Sequence, residues 1–206
     1  MEVRVIISRL ETLEKSQVKV YVDENYEFAL NIKEVEQYGL MEGKEITQTE
    51  YDQILENVIY PKALEKALSL LTYRDRSVQE LRKKLSLAEY SEEIIDRVMA
   101  YVKRYAYLNE ERFTAAYIRS RMNRKSKLRI KNELLQKGVA EELIADTMRK
   151  EYNDTSEEDA ELTLLRKEIA KRVKDPEQLS YDQKQKLIAA LYRKGFDIGE
   201  IRKLLS

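Results

Sequence analysis

The 206-residue chain has no cysteine, no histidine and no tryptophan, and only two prolines and five glycines. Without cysteine there are no disulfides, thiolate nucleophiles or zinc–thiolate sites. Without histidine the commonest general base, the usual zinc ligand and every imidazole-centred triad are excluded. Carboxylate or lysine chemistry survives this filter, so an enzyme on a helical scaffold stays open as the least favoured class. The glycines are scattered, none in a phosphate-cradling pattern. No apolar run approaches the 18 residues of a membrane span. The opening MEVRVIISRLETLEK has acids on both sides of its short apolar core, unlike a secretion signal. These absences lead to the expectation of a soluble, helix-rich, cytoplasmic protein that binds rather than catalyses, with no cofactor and no metal.

What the chain has in abundance is charge: 37% of it, with 38 Lys and Arg against 38 Asp and Glu. The zero sum hides segregation. Residues 1–57 carry a net −7, residues 61–137 a net +9, residues 138–165 a net −7 and residues 166–206 a net +5. Such blocks set up local fields that steer charged partners. The densest block, RSRMNRKSKLRIK, holds Arg119, Arg121, Arg124, Lys125, Lys127, Arg129 and Lys131 with no acid among them. A merely soluble helix mixes signs, because Glu–Lys pairs four apart stabilise it by roughly 0.2–0.5 kcal/mol each. An all-basic run repels itself, and an anionic partner relieves that cost. A solvated helix face is the alternative. Arg74, Arg76, Arg82 and Lys83, with Lys84, form a second, weaker basic set; Arg76 and Lys83 fit equally well as surface salt-bridge residues.

The first part of the chain reads as β. Val3, Val5 and Ile7 alternate with polar residues, as do Val18, Val20 and Val22. Asp23-Glu24-Asn25 supplies turn chemistry before Tyr26, Phe28 and Leu30 resume the alternation, which predicts a hairpin or three strands. Asn31 to Tyr38 reads as a short helix ended by Gly39, with Gly43 in the next turn. From about Thr49 the period becomes helical. Tyr51, Ile54, Leu55 and Val58 form one stripe, Pro61 interrupts or opens a first turn, and Ala63, Leu64, Ala67, Leu68 and Leu71 continue. Ser77-x-x-Glu80 reads as a capping box ahead of Leu81 and Leu85, and Ser91 as the cap of a helix with Ile94, Ile95, Val98, Met99 and Val102 inward.

The pattern then repeats. An offset of 49 carries Ser77, Leu81 and Leu85 onto Ser126, Ile130 and Leu134; an offset of 57 carries Leu134, Gly138 and Ile144 onto Leu191, Gly195 and Ile201, each Gly placed to end one helix before another starts. Repetition near 50 residues suggests stacked helical units, none able to close a core alone. The expected organisation is a β-rich extension with a short helix over 1–57 and three three-helix units over 61–107, 108–153 and 156–206. Asn109 with Glu110 and Glu111, Ser156-x-x-Asp159, and Asp197-x-x-Glu200 read as helix starts. Asn153-Asp154-Thr155 and Lys174-Asp175-Pro176 read as turns, and the acid run Glu157-Glu158-Asp159 suits a positive helix end better than a metal site.

Taken together, Arg74-x-Arg76-Ser77-x-x-Glu80-Leu81-x-x-x-Leu85, Tyr107-Leu108-Asn109-Glu110-Glu111-Arg112-Phe113 and the repeated Leu-x-x-Lys-Gly at Leu134 and Leu191 resemble the RecX family of RecA regulators. Ala106 stands where the family usually has Gly, and Leu87-Ala88-Glu89 replaces Lys-Gly in the first unit. The N-terminal segment resembles the extension of Gram-positive members. The resemblance implies a mainly α, elongated, curved array of three tandem three-helix repeats with a small N-terminal β element. It implies a protein without catalytic residues that binds the RecA–DNA filament and inhibits its recombinase, ATPase and coprotease activities. A monomer that contacts single- and double-stranded DNA weakly through its basic face, and no membrane, is expected.

Two other readings stand beside it. Short helix pairs also fit a helix-turn-helix transcriptional regulator, although tandem repetition suggests a long one-sided surface instead. Tyr101, Tyr105, Tyr107 and Tyr117 offer rings for base stacking; because they continue apolar stripes, amphipathic packing is favoured.

Overall fold

Alternating apolar residues build the N-terminal sheet as the sequence predicts. In the computed structural model, which describes residues 3–13, 16–153 and 160–205, strands β1 (Arg4–Thr12), β2 (Gln17–Val22) and β3 (Asn25–Asn31) pair antiparallel. Val18, Val20, Val22, Phe28 and Leu30 are buried. Asp23 and Glu24 take φ of +47° and +67°, the left-handed pair that matches a two-residue hairpin to the twist of its strands. Asp23 Oδ1 accepts from the Ile6 amide at 3.0 Å and holds this turn against β1. On β1 the inward face runs through Val5 and Ile7, then changes parity at a bulge between Ile7 and Arg9, so Leu10 continues it. Val3 precedes the strand and is exposed.

A fourth strand, β4 (Glu45–Thr47), was not expected. Three residues are too few to show alternation. It joins the free edge of β1, giving the order β3-β2-β1-β4. Between β3 and β4, helix α1 (Ile32–Gln37) is opened by a capping box of Asn31 and Glu34, and Gly39 follows it at φ +57°.

Of the two expectations for Pro61, the first-turn position is the one observed: it stands in the first turn of the next helix and does not break the helical run. Helix α2 (Gln48–Ile54) passes through a π-helical turn at Leu55–Ile59 directly into α3 (Tyr60–Tyr73). Proline has no N–H to donate and its ring crowds the preceding turn; the wider π turn just before it accommodates both defects. That turn adds a residue to the stripe, so Ile59, rather than Val58, is the buried member, ahead of Ala63 and Ala67.

Helices α4 (Val78–Ser86) and α5 (Glu92–Arg104) complete the first of two compact units, Met1–Leu108. Ser77 Oγ accepts from the Glu80 amide at 3.1 Å and Ser91 Oγ from the Ile94 amide at 3.4 Å, as their spacing predicts. Leu81, Leu85, Ile94, Ile95, Val98, Met99 and Val102 share one core with the sheet. Where Lys-Gly is missing, Glu89 itself takes φ +62° after α4. Its carbonyl accepts from the Tyr26 hydroxyl at 2.9 Å and its carboxylate pairs with Lys19, so β2 and β3 hold the left-handed turn in place of a glycine.

The second unit, Asn109–Ser206, contains α6 (Glu110–Arg121), α7 (Lys127–Gln136), α8 (Glu141–Asn153), α9 (Ala160–Ala170), α10 (Tyr181–Arg193) and α11 (Ile198–Leu205). Helices α6–α8 close over Phe113, Ile118, Ile130, Leu134, Val139 and Ile144. Helices α9–α11 close over Leu164, Leu165, Leu187, Leu191, Phe196 and Ile201. Asn109, Ser126 and Asp197 cap their helices through the amides of Arg112, Arg129 and Glu200. Ser180 with Gln183 adds a capping box that the sequence reading missed. The expected cap at Ser156 and Asp159, the acids Glu157 and Glu158 and the turn at Asp154-Thr155 lie outside the described residues. The chain is mainly helical, with tandem three-helix domains and a small N-terminal antiparallel sheet.

Candidate functional site

Among the described residues no group of three or more Asp and Glu side chains is placed to hold a metal, and no helix is long and apolar enough to cross a membrane. The features left to consider are charged surfaces.

The basic segment spans the last turn of α6, the following turn and the first half of α7. Its seven cations do not simply repel one another, because acids outside the segment fold back onto it. Glu133, one turn beyond Arg129 on α7, is the hub. It accepts from Lys125 Nζ at 2.6 and 2.8 Å, from the Tyr117 hydroxyl at 2.9 Å and from Arg129 Nε at 3.5 Å, with Arg121 Nε at 3.9 Å. Partial burial pushes the Glu133 carboxyl upward, but the hydrogen bonds from Lys125 and Tyr117 outweigh it and hold its pKa below the usual carboxylate range. Arg119 pairs with Glu151 at 2.7 Å and Lys131 with Glu141. The self-repulsion inferred from sequence is therefore largely compensated within the fold.

What remains is a cation excess in a fixed geometry. Three cations share one carboxylate at Glu133, Arg121 lies over the Tyr117 ring at 3.7 Å, and Arg124 is exposed with no side-chain partner among the described residues. Lys127 is committed elsewhere: its amide donates to Glu161 at 2.9 Å and its ammonium lies 4.5 Å from the Tyr152 ring centre.

The second basic set separates into different roles. Arg76 is only 7% exposed, and its Nε donates to the Leu70 carbonyl at 3.1 Å. It therefore fastens the α3–α4 connection, is buried rather than a surface contact, and forms no salt bridge among the described residues. Arg74 pairs with Glu80 at 3.3 Å, and Arg82 is shared by Glu92 and Asp96. Lys83 is exposed. Of the four tyrosines, Tyr101 packs on the first unit's core and Tyr117 is half-buried beside Phe113, whereas Tyr105 and Tyr107 are exposed.

Sequence reasoning missed a second charged hub in the second unit. Glu168 on α9 is 8% exposed and receives Lys171 at 2.8 Å, Arg172 at 2.9 Å and Lys194 at 2.6 Å. These contacts, Lys171 first, hold its pKa down at about 2 against the opposing effect of burial. Glu168 and its partner Lys194 line a cleft of about 170 Å³ together with Arg124 and with two of the cations that pair with Glu133, Lys125 and Arg129. The parallel of Lys137-Gly138 with Lys194-Gly195 was the available signal. It marked Lys194 as a helix end, without showing that α9 and α7 pack beside it.

Comparison with known proteins agrees with this architecture. The family description "RecX, first three-helix domain" matches residues 63–101, the second three-helix domain matches 109–148 and the third matches 158–205, together more than half of the chain. The regulatory protein RecX of Clostridium acetobutylicum is 31% identical over 196 residues, covering 93% of this chain and 89% of that protein. The regulatory protein RecX of Clostridioides difficile is 31% identical over 205 residues, with 98% and 94% covered. A crystal structure of regulatory protein RecX superposes with a TM-score of 0.65 at 23% identity over 98% of both chains. That of RecX from Lactobacillus salivarius gives 0.56 at 24% identity, over 71% of this chain and 96% of the other; both establish likeness of fold. With all three domains matched in order and relatives above 30% identity over almost its whole length, the chain belongs to the RecX family of regulatory proteins.

Proposed function

We propose that this protein is a non-enzymatic regulator that binds the RecA–DNA filament and inhibits its recombinase, ATPase and coprotease activities, so modulating recombination and DNA repair. Family membership supports RecA as the partner. The observation that carries the contact is the fixed cation array around Glu133, with Arg124 exposed beside it. Such an array pairs with phosphates or with acidic protein surface without first ordering its side chains. In the second unit the proposed contact residues are Arg119, Arg121, Arg124, Lys125 and Arg129; in the first unit Arg74, Arg82 and Lys83 form a separate, lesser set, and Lys127, Lys131 and buried Arg76, engaged by the Tyr152 ring, Glu141 and the Leu70 carbonyl, are left out.

A helix-turn-helix duplex reader is disfavoured by the same geometry. A recognition helix enters the major groove with its N-terminal residues. Here the N-terminus of α7 is occupied, with Ser126 buried against the Lys194 carbonyl and the Lys127 amide bonded to Glu161.

Sedimentation with RecA filaments assembled on single-stranded DNA with a slowly hydrolysed ATP analogue tests the binding step. Pelleting only when filaments are present is the expected result; protein left in the supernatant at micromolar concentrations rejects the reading.

A further inference from the structure

Where the start of α7 packs against the end of α10, the surface is shallow and its two halves are oppositely charged. One half, about 480 Å³, carries Glu161, Asp197 and Glu200 with the single cation Lys127. The other, about 410 Å³, carries Arg129, Arg193 and Lys194 with the single acid Glu133. Each half thus has an excess of two charges, negative on one side and positive on the other. The ion pairs that reach in from outside are matched as well: Lys203 holds Glu200 on the acidic side, and Glu168 holds Lys194 on the basic side. Leu128, Tyr192 and Gly195 line both halves and mark the boundary between them. Leu128 is 51% exposed and Tyr192 60% exposed, so an aliphatic side chain and an aromatic ring lie open to water at the centre of the patch.

We propose that this patch is the contact of a two-fold dimer, its occupant a second copy of the chain. A partner of one sign, acidic or basic throughout, matches one half and is repelled by the other. A second copy matches both. A two-fold axis through the boundary lays the basic half of each copy on the acidic half of the other, and Leu128 and Tyr192 of both copies close over the axis. Arg193 and Glu200 are the charges readiest to pair across it. Among the described residues Arg193 bonds only the Ala189 carbonyl of its own helix, and Glu200 is held by Lys203 in an exposed pair that costs little to exchange. The 15 residues that line the patch fall below the roughly 20–30 per side of a standard interface, so the dimer is weak and concentration-dependent. It departs from the monomer that the resemblance implies. The dimer covers Arg129, one of the cations assigned to the filament contact, so self-association and filament binding compete for it. That competition rests on the filament reading; the dimer itself does not.

The test is analytical ultracentrifugation of the full-length protein without RecA or DNA, from about 1 to 200 μM at low and at high salt. A shift from monomer toward dimer as concentration rises, weakened by salt, is expected. Arg193→Glu sets an acid against Glu200 of the other copy, and symmetry repeats the clash, so dimerisation is expected to weaken about tenfold or more. Glu200→Arg is expected to do the same through two cations. A mixture of the two variants is expected to dimerise again, because each reversed charge then meets its opposite and the two unchanged residues still meet each other. Circular dichroism controls for folding, and restored dimerisation is itself possible only if both variants fold. Arg193 is exposed, so its variant alone keeps the proposal open to refutation. A wild type that stays monomeric to the highest concentration, or Arg193→Glu that associates as the wild type does, overturns the proposal, as do folded variants that fail to associate when mixed. Inhibition of RecA by a protein that never dimerises removes this contact and leaves the proposed function standing; a dimer without any effect on RecA does the reverse.

Discussion

The Ser126 hydroxyl donates to the backbone carbonyl of Lys194 at 2.7 Å, although the two residues are 68 apart in sequence. Ser126 also caps α7, and it is only 1% exposed. One side chain thus satisfies an orphan amide at the start of α7 and a carbonyl at the end of α10. Gly195 makes this approach possible: it sits at φ +89°, and a Cβ there would lie 2.6 Å from Ser126 Oγ. Gly195→Ala is expected to destabilise the chain by about 2–4 kcal/mol, from left-handed strain and the clash together. Ser126→Ala is expected to cost about 2 kcal/mol. Urea denaturation measures both, and a Gly195→Ala protein as stable as the wild type contradicts the packing described.

Glu168 gives the stability an acid-sensitive component. Its pKa is about 2 in the folded chain against an ordinary 4.5, so the folded state favours the ionised form. A depressed carboxyl contributes stability that is fully present above the unfolded pKa and disappears as pH falls through the folded one. The window runs from about pH 4.5 down to 2. Glu168→Gln, which leaves Lys171, Arg172 and Lys194 facing an uncharged group, is expected to lose about 2–3 kcal/mol at pH 7. The gap between mutant and wild type should be roughly halved by pH 3. Denaturation curves at several pH values measure it, and a gap that stays constant from pH 7 to 3 contradicts the assignment.

Ala106 occupies the left-handed region at φ +56°, just after α5. An alanine there is strained by roughly 1–2 kcal/mol, while glycine gains back-strain relief at a smaller cost in unfolded-state entropy. Ala106→Gly is therefore expected to raise stability by about 0.5–1 kcal/mol, seen as a higher melting temperature. A lower melting temperature would show that the side chain stabilises more than its backbone strain costs.

The cations of the basic segment are not equivalent. Arg124→Glu removes an exposed charge without disturbing a neighbour, so it should weaken inhibition of the filament ATPase several-fold with an unchanged circular dichroism spectrum. Lys125→Glu places a second acid against Glu133 and should destabilise the fold as well as weaken inhibition. Equal inhibition by the wild type and Arg124→Glu removes this residue from the contact.

Much of the fold was legible because its signals are local. The hydroxyl and amide caps at Ser77, Ser91, Asn109 and Ser126, the stripe from Ile94 to Val102, and Gly39 and Gly195 at helix ends all act within one turn of chain. The features that escaped depend on tertiary neighbours. β4 forms because an edge of β1 is free; the π turn moves the buried stripe by one residue before Pro61; Glu89 adopts a glycine conformation because Tyr26 and Lys19 hold it. For the basic segment, composition located the cations but not the acids that meet them. Glu133 lies just past its end, while Glu141 and Glu151 return from α8 after a further turn. Which cations remain available is thus a property of packing, and Arg124 could not be told from Lys125 by sequence.

The central claim is tested most directly by adding the protein to a reaction containing RecA, single-stranded DNA and ATP while following hydrolysis. A concentration-dependent fall in the DNA-stimulated rate is the expected result, and an unchanged rate at saturating protein would contradict the claim.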